Sequence, residues 1–234
     1  MELDVLAIVA HPDDAELGCG GTLLKLKSEG KKTGIVDLTP GQMGTRGTVA
    51  LRQQEAEAAK EILQLDLRCN LGLQDVFFSN TPEQQLPVIE IIRQTRPKVV
   101  ITNAPIDRHP DHGKAAQLVR DACFYSGLAK LKTQYPAYRP SKIFYMIQDQ
   151  YLEPSFVIDI TSFYEQKLKA ILAFASQFYN PHSTEPETLI SSKRYLHLIE
   201  ARARHFGHYI GTEFGEGFIH TQPLKVHSLL DLVN

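Results

Sequence analysis

Residues 5–14 read "VLAIVAHPDD" and residues 98–112 read "KVVITNAPIDRHPDH". In both, a short β-branched apolar run of strand length hands the chain to His-Pro-Asp within a few residues. The run from Val5 to Ala10 is too short to span a membrane or to form the core of a leader peptide, so it reads as a buried strand. Proline fixes its own φ and biases the preceding residue toward extended backbone. His11 and His109 are therefore expected to stand beyond the strand ends, with their motifs outside any helix.

Working outward, strands and helices alternate. A helix from about Ala15 to Ser28 stops at Gly30, and the strand "TGIVDL" (33–38) follows. The helix "VALRQQEAEAAKEIL" (49–63) is rich in strong helix formers and leads to a strand around "LDLRCNL" (65–71). Thr81 as N-cap with Pro82 at the first helical position opens a helix running toward Arg96, and "KVVIT" (98–102) is the fourth strand. This alternation predicts one α/β domain over residues 1–234: a Rossmann-like three-layer sandwich with a mostly parallel central sheet flanked by helices. Beyond it we expect a helix from Gly113 to Tyr125 and an edge hairpin of "KIFYMI" (142–147) and "FVIDI" (156–160). Two further helices are expected, Ser162–Phe178 and Glu187–His208. The Gly-rich segment from Gly211 fits neither period.

The polar clusters "HPDD", "TPGQMGTRGT", "NLGLQD" and "NAPIDRHPDH" all follow the carboxyl ends of predicted strands. In open α/β sheets that edge binds ligands, so four loops point at one crevice. A net charge of -2 without charge blocks leaves no footprint for nucleic acid or an anionic membrane, and the expected ligand is small. Three cysteines, with no CxxC pair, argue against a disulfide framework or a thiolate zinc site, and a cytoplasmic location is expected.

His11, Asp13, Asp14, His109, Asp111 and His112 supply enough nitrogen and oxygen donors for a catalytic zinc, which takes three protein ligands and keeps a position for water. Two histidines and a carboxylate serve ferrous iron equally well. The plain alternative is that Asp13 or Asp14 merely caps the following helix. Three rival functions follow from the same residues. A nucleotide site at "GCGGT" (18–22) fails on spacing and on the acidic residues before it. A two-metal phosphoesterase and a non-catalytic zinc- or sugar-binding module differ in metal stoichiometry and in acetate release.

"AHPDDAELGCGGT" followed by "RHPDHGKAA" resembles the LmbE-like, or PIG-L, family of zinc-dependent N-acetylglucosaminide deacetylases. "DLTPGQMGTRGTVALRQQEAEAA", "NLGLQD" and "SKRYLHLIEARARHFGHYIGTEFGEGF" are similar to the branch that deacetylates N-acetylglucosaminyl-malate in bacillithiol biosynthesis. The resemblance implies His11, Asp14 and His112 as metal ligands, Asp13 as general base and a protonated His109 facing the carbonyl oxygen. Asp111 would orient or charge His109. It also implies an acetylated glucosaminide as substrate and a homo-oligomer, a hexamer. Arg52, early in the helix after the glycine-rich loop, is the first candidate for an anionic part of the substrate, with Arg46, Arg108 and Tyr195 as further candidates.

Overall fold

A computed structural model of the protein describes residues 1–232. The strands are β1 (Val5–Val9), β2 (Thr33–Asp37), β3 (Leu67–Asn70), β4 (Val99–Asn103), β5 (Lys142–Met146), β6 (Phe156–Asp159) and β7 (Gly215–Ile219). The α-helices are α1 (Asp14–Ser28), α2 (Val49–Leu63), α3 (Pro82–Thr95), α4 (Pro110–Tyr125), α5 (Tyr164–Leu172) and α6 (Lys193–Tyr209). The sheet runs in the order β3-β2-β1-β4-β5-β7-β6, with β1 to β5 parallel and β7 antiparallel to both its neighbours.

The expected three layers are present, and alternation along β1 shows how they form. Leu6, Ile8 and Ala10 point into a core shared with α3 and α4, while Val5, Ala7 and Val9 point into one shared with α1 and α5. Every residue of β1 is buried, as a central parallel strand covered on both faces requires. Each fully buried Leu, Ile or Val contributes about 1.5–3 kcal/mol. Among the described residues no helix is long and apolar enough to cross a membrane.

Strand order reverses at β1. The chain steps outward from β1 to β2 and β3, then returns so that β4 pairs with the other side of β1, Val5 beside Val99 and Ile8 beside Thr102. The two His-Pro-Asp segments, far apart in sequence, therefore leave adjacent strands at the topological switch point.

Three expectations are corrected. The second motif is partly helical: α4 starts at Pro110, not Gly113, because proline suits the first helical position, and His109 caps it by accepting the Asp111 N–H on Nδ1 (3.2 Å). Strands β5 and β6 do not form a hairpin, since β7, from the segment that fits neither period, lies between them. The late helices are shorter than expected, α5 at both ends and α6 at its start. A 3-10 turn (Thr161–Phe163) precedes α5, which stops at Leu172, and α6 starts at Lys193, where Ser192 accepts the Tyr195 N–H.

Candidate active site

The ends of β1 and β4 are tied together where the motifs begin, Ala10 N–H donating to Asn103 Oδ1 at 2.9 Å. Pro12 and Asp13 form the turn into α1. Asp13 has φ 111° and ψ -24°, a left-handed conformation that a residue with a Cβ adopts only under constraint, and its side chain makes no capping hydrogen bond to α1. The constraint is visible: Arg52 of α2 donates to Pro12 O from Nη2 (2.9 Å) and Nε (3.3 Å), and to Asp13 Oδ2 from Nη2 at 2.7 Å. Helix capping therefore does not explain Asp13. Asp14 Oδ2 accepts from the His11 N–H at 3.0 Å and also faces the imidazoles.

His11, His109 and His112 bring their ring nitrogens within 4.8 Å of one another. Asp14 lies against two of them, with Oδ2 3.5 Å from His11 Nδ1 and Oδ1 3.1 Å from His112 Nε2. The Asp14 carboxylate is held by Asn103 Nδ2 (3.1 Å) and Gln148 Nε2 (2.8 Å). The remaining imidazole nitrogens meet carboxylates of their own. His11 Nε2 lies 3.1 Å from Asp75 Oδ1 and 3.5 Å from Asp111 Oδ2, and His112 Nδ1 lies 2.6 Å from Asp107 Oδ2. Carboxylate–imidazole pairs of this kind fix the tautomer and ring orientation of a metal-ligating histidine.

The electrostatics favour positive charge at the cluster. Burial opposes the imidazolium of His11, but Asp111, Asp14 and Asp75 outweigh it and raise its pKa well above the ordinary value. Burial likewise opposes that of His112, yet Asp14 and Asp107 push it up to about 10. Burial would raise Asp14, but His112 and His11 hold it well below the usual carboxylate range. A divalent cation answers the same demand: His11, His109 and His112 lie close enough together to hold one, with the Asp14 carboxylate against two of the three imidazoles.

Asp13 behaves differently from its neighbour. Its side chain is only 6% exposed, and burial, with Arg52 pulling the other way, raises its pKa to about 7. The pKa of His109 is instead lowered, by burial and then by His11 and His112. His109 Nδ1 accepts the Asp111 N–H, so a proton carried by this ring for donation sits on Nε2. Asp111 reaches His109 through its backbone. Its carboxylate takes Val76 N–H (2.9 Å) and Lys114 Nζ (2.9 Å) and flanks His11, so it orients the metal-ligand candidate.

Except for Asp111, the predicted site residues all line one cavity of about 280 Å³. At its rim Asp149 accepts from the Tyr195 hydroxyl (2.5 Å) and from Arg108 Nη2 (3.1 Å) and Nε (3.2 Å). Tyr195 is buried and Arg108 exposed, and both act on Asp149. Sequence reasoning missed Asp107, Asn103, Gln148 and Asp149. Asn103 ends β4, while Gln148 and Asp149 follow β5, so extending the carboxyl-end rule to the fifth strand would have found the latter two.

Comparison with known proteins agrees with this geometry. Residues 6–123 match the PIG-L family model, described as GlcNAc-PI de-N-acetylase. The chain is 30% identical to the diacetylchitobiose deacetylase of Thermococcus kodakarensis, over 95% of this chain and 85% of that one. It is 29% identical to a probable N-acetyl-α-D-glucosaminyl L-malate deacetylase 2 of Bacillus subtilis, over 76% of this chain and 84% of that one. The crystal structure of a conserved protein from Thermus thermophilus superposes with a TM-score of 0.88 at 38% identity, covering 96% of this chain and 97% of that one. Sequence, topology and the two converging His-Pro-Asp motifs together establish that the chain belongs to the PIG-L, or LmbE-like, family.

Proposed function

We propose that the protein hydrolyses the N-acetyl group of an N-acetylglucosaminide to acetate and a free amine, with N-acetylglucosaminyl-malate of the bacillithiol route as its substrate. The observation that carries the reading is a buried carboxylate, Asp13, held by Arg52 beside a separate donor set of His11, Asp14 and His112 in one cavity. The named relatives, both deacetylases, support it.

An amide is a poor electrophile and water a poor nucleophile near neutral pH. A divalent cation held by His11, Asp14 and His112, zinc first and ferrous iron as the alternative, supplies Lewis acidity toward both. Asp13 takes the proton of the attacking water, which a base with a pKa near the working pH does best. Arg52 anchors its Oδ2 and sets its orientation. As the C–N bond breaks, the same carboxyl returns the proton to nitrogen, because an amine anion is not a viable leaving group. His109, with its proton on Nε2, donates to the oxyanion where its charge develops.

The two-metal phosphoesterase is disfavoured because the second donor group, His11, Asp75 and Asp111, shares His11 with the first and uses its opposite nitrogen. A passive binding module has no use for Asp13 beside a complete ligand set. The test is amine release from N-acetylglucosaminyl-malate and from N,N'-diacetylchitobiose by protein reconstituted with zinc or ferrous iron. Release with preference for the malate conjugate is expected, and folded, cation-loaded protein that releases amine from neither substrate would refute the reading. A homo-oligomer, a hexamer, belongs to the proposal and is read by light scattering.

A further inference from the structure

We propose that Arg46 is the receptor for a carboxylate on the substrate's aglycone and that Glu185 holds this receptor until substrate displaces it. The inference rests on the deacetylase reading for the identity of the sugar, and on the following contacts for the receptor.

Three arginines line the cavity. Arg52 is committed to Pro12 O and Asp13, and its Nη1 lies under Gly41, where a Cβ would come within 2.5 Å. Arg108 turns Nε and Nη2 onto Asp149. Arg46 is different. Its side chain is 4% exposed, Nη2 donates to a neutral acceptor, Ser183 Oγ (2.5 Å), and Nε is buried with no hydrogen-bond partner. The facing carboxylate, Glu185 Oε2, stands 3.7 Å from Nε, inside ion-pair range and outside hydrogen-bond range, on a side chain 41% exposed. A buried N–H of a charged group without an acceptor is costly, so this guanidinium has an unmet demand for an oxyanion.

The surroundings suit exchange of one carboxylate for another. Arg46 is held from behind, its carbonyl accepting from Gln177 Nε2 at 2.9 Å. Ser183 and Glu185 belong to the irregular segment between α5 and α6, whose Thr188, Leu189 and Ile190 form part of the cavity wall. Glu185 is fastened to the opposite loop by one hydrogen bond, Oε1 accepting from the Gly47 N–H (2.8 Å). A carboxylate on the aglycone can reach hydrogen-bond distance of Nε and bind the guanidinium through two donors, which Glu185 does not. A neutral aglycone has nothing to exchange for Glu185. The receptor therefore selects anionic aglycones, and Glu185 sets the threshold an anion must exceed.

The experiment measures kcat/KM for N-acetylglucosaminyl-malate and for methyl N-acetylglucosaminide in the wild type, Arg46→Gln, Arg46→Lys and Glu185→Gln. Calorimetric Kd values for the product glucosaminyl-malate are measured in parallel. Arg46→Gln is expected to lower the malate-over-methyl selectivity ratio at least about tenfold, mainly through KM, and to weaken product binding by a similar factor, as loss of a charge-assisted pair does. Glu185→Gln, an exposed change, should move both several-fold the other way. Arg46→Lys, which keeps the charge and loses the fork, should fall between. Selectivity and product affinity unchanged in Arg46→Gln and Glu185→Gln would overturn the proposal. So would a loss shared equally by both substrates, or wild-type protein that does not bind the product. Arg46-dependent product binding without hydrolysis of either conjugate would instead sink the deacetylase reading and leave the receptor standing.

Discussion

Replacing Arg68 with methionine tests how α1, β2 and β3 are tied together. Arg68 donates from Nε (3.0 Å) and Nη2 (3.1 Å) to the two oxygens of Asp37, and from Nη1 to Glu16 (2.5 Å) and to Ala56 O (3.2 Å). The side chains of Arg68, Asp37 and Glu16 are 4%, 3% and 0% exposed. Methionine replaces the apolar stem but leaves a carboxylate of β2 and one of α1 without a counter-charge. Breaking a buried ion pair from one side costs about 3–5 kcal/mol. Neutralising Asp37 instead, from an ordinary pKa near 4 at pH 7, costs about 4 kcal/mol, so the two routes agree. In a domain of this size each kcal/mol moves the melting temperature by about 2–4 °C, and the expected loss is about 6–20 °C at pH 7.5. The sign of the pH dependence follows from Asp37, whose pKa burial already raises despite Arg68. Without the guanidinium it rises further, and the folded variant binds a proton that the unfolded chain releases. Stability then falls as pH rises between the unfolded and folded values, by up to about 1.4 kcal/mol per pH unit. Urea titrations at pH 5.5 and 7.5 should show the smaller penalty at pH 5.5, and Asp37→Asn added to Arg68→Met should recover roughly half of it. A penalty under about 1 kcal/mol at both pH values, or a larger one at pH 5.5, refutes the reasoning.

Asp13→Asn keeps the shape and an acceptor for Arg52, and Asn tolerates the left-handed backbone. Turnover should fall by about 10²–10⁴ with cation content by mass spectrometry unchanged, and retained turnover would remove Asp13 as the base. His112→Ala should lose the cation on dialysis, whereas His109→Ala should keep it and lose on the order of a hundredfold in kcat; equal occupancy would sink this division of roles. Asp107→Ala removes the partner of His112 Nδ1 and should weaken cation affinity about 10–100-fold in competition with a chromophoric chelator, whereas unchanged affinity would mean that Asp107 does not orient the ring.

The centre of this fold is legible because β1 and β4 are buried on both faces and read as continuous apolar runs, and because polar residues collect at their carboxyl ends. What stayed hidden depends on contacts rather than on pattern. The stretch "GEGFI" of β7 alternates glycine with a carboxylate and resembles a loop. Yet Gly217 is needed where a Cβ would meet the Phe206 ring at 2.9 Å, and Glu216 is buried against Lys167 Nζ at 2.6 Å. Pro110 acts in two directions: it keeps His109 extended, and its own preference for the first helical position decides where α4 begins. Asp111 sits two residues from His109 in sequence, but the helical turn aims its carboxylate at His11. Asp107 belongs to no recognisable spacing and is found only once the loop closes on His112.

The insertion of β7 between β5 and β6 bears on how the protein is made. During synthesis β6 emerges well before its ladder partner, and among the described residues it pairs with β7 alone. Until α6 and Gly215–Ile219 leave the ribosome, β5 is an open edge and β6 has no sheet to join, so the nascent chain carries a template for wrong pairing. A premature stop between Tyr209 and Gly215 would spare the residues of the candidate metal site yet remove two strands from the sheet, and the expected product is an aggregating fragment and not a weakened enzyme.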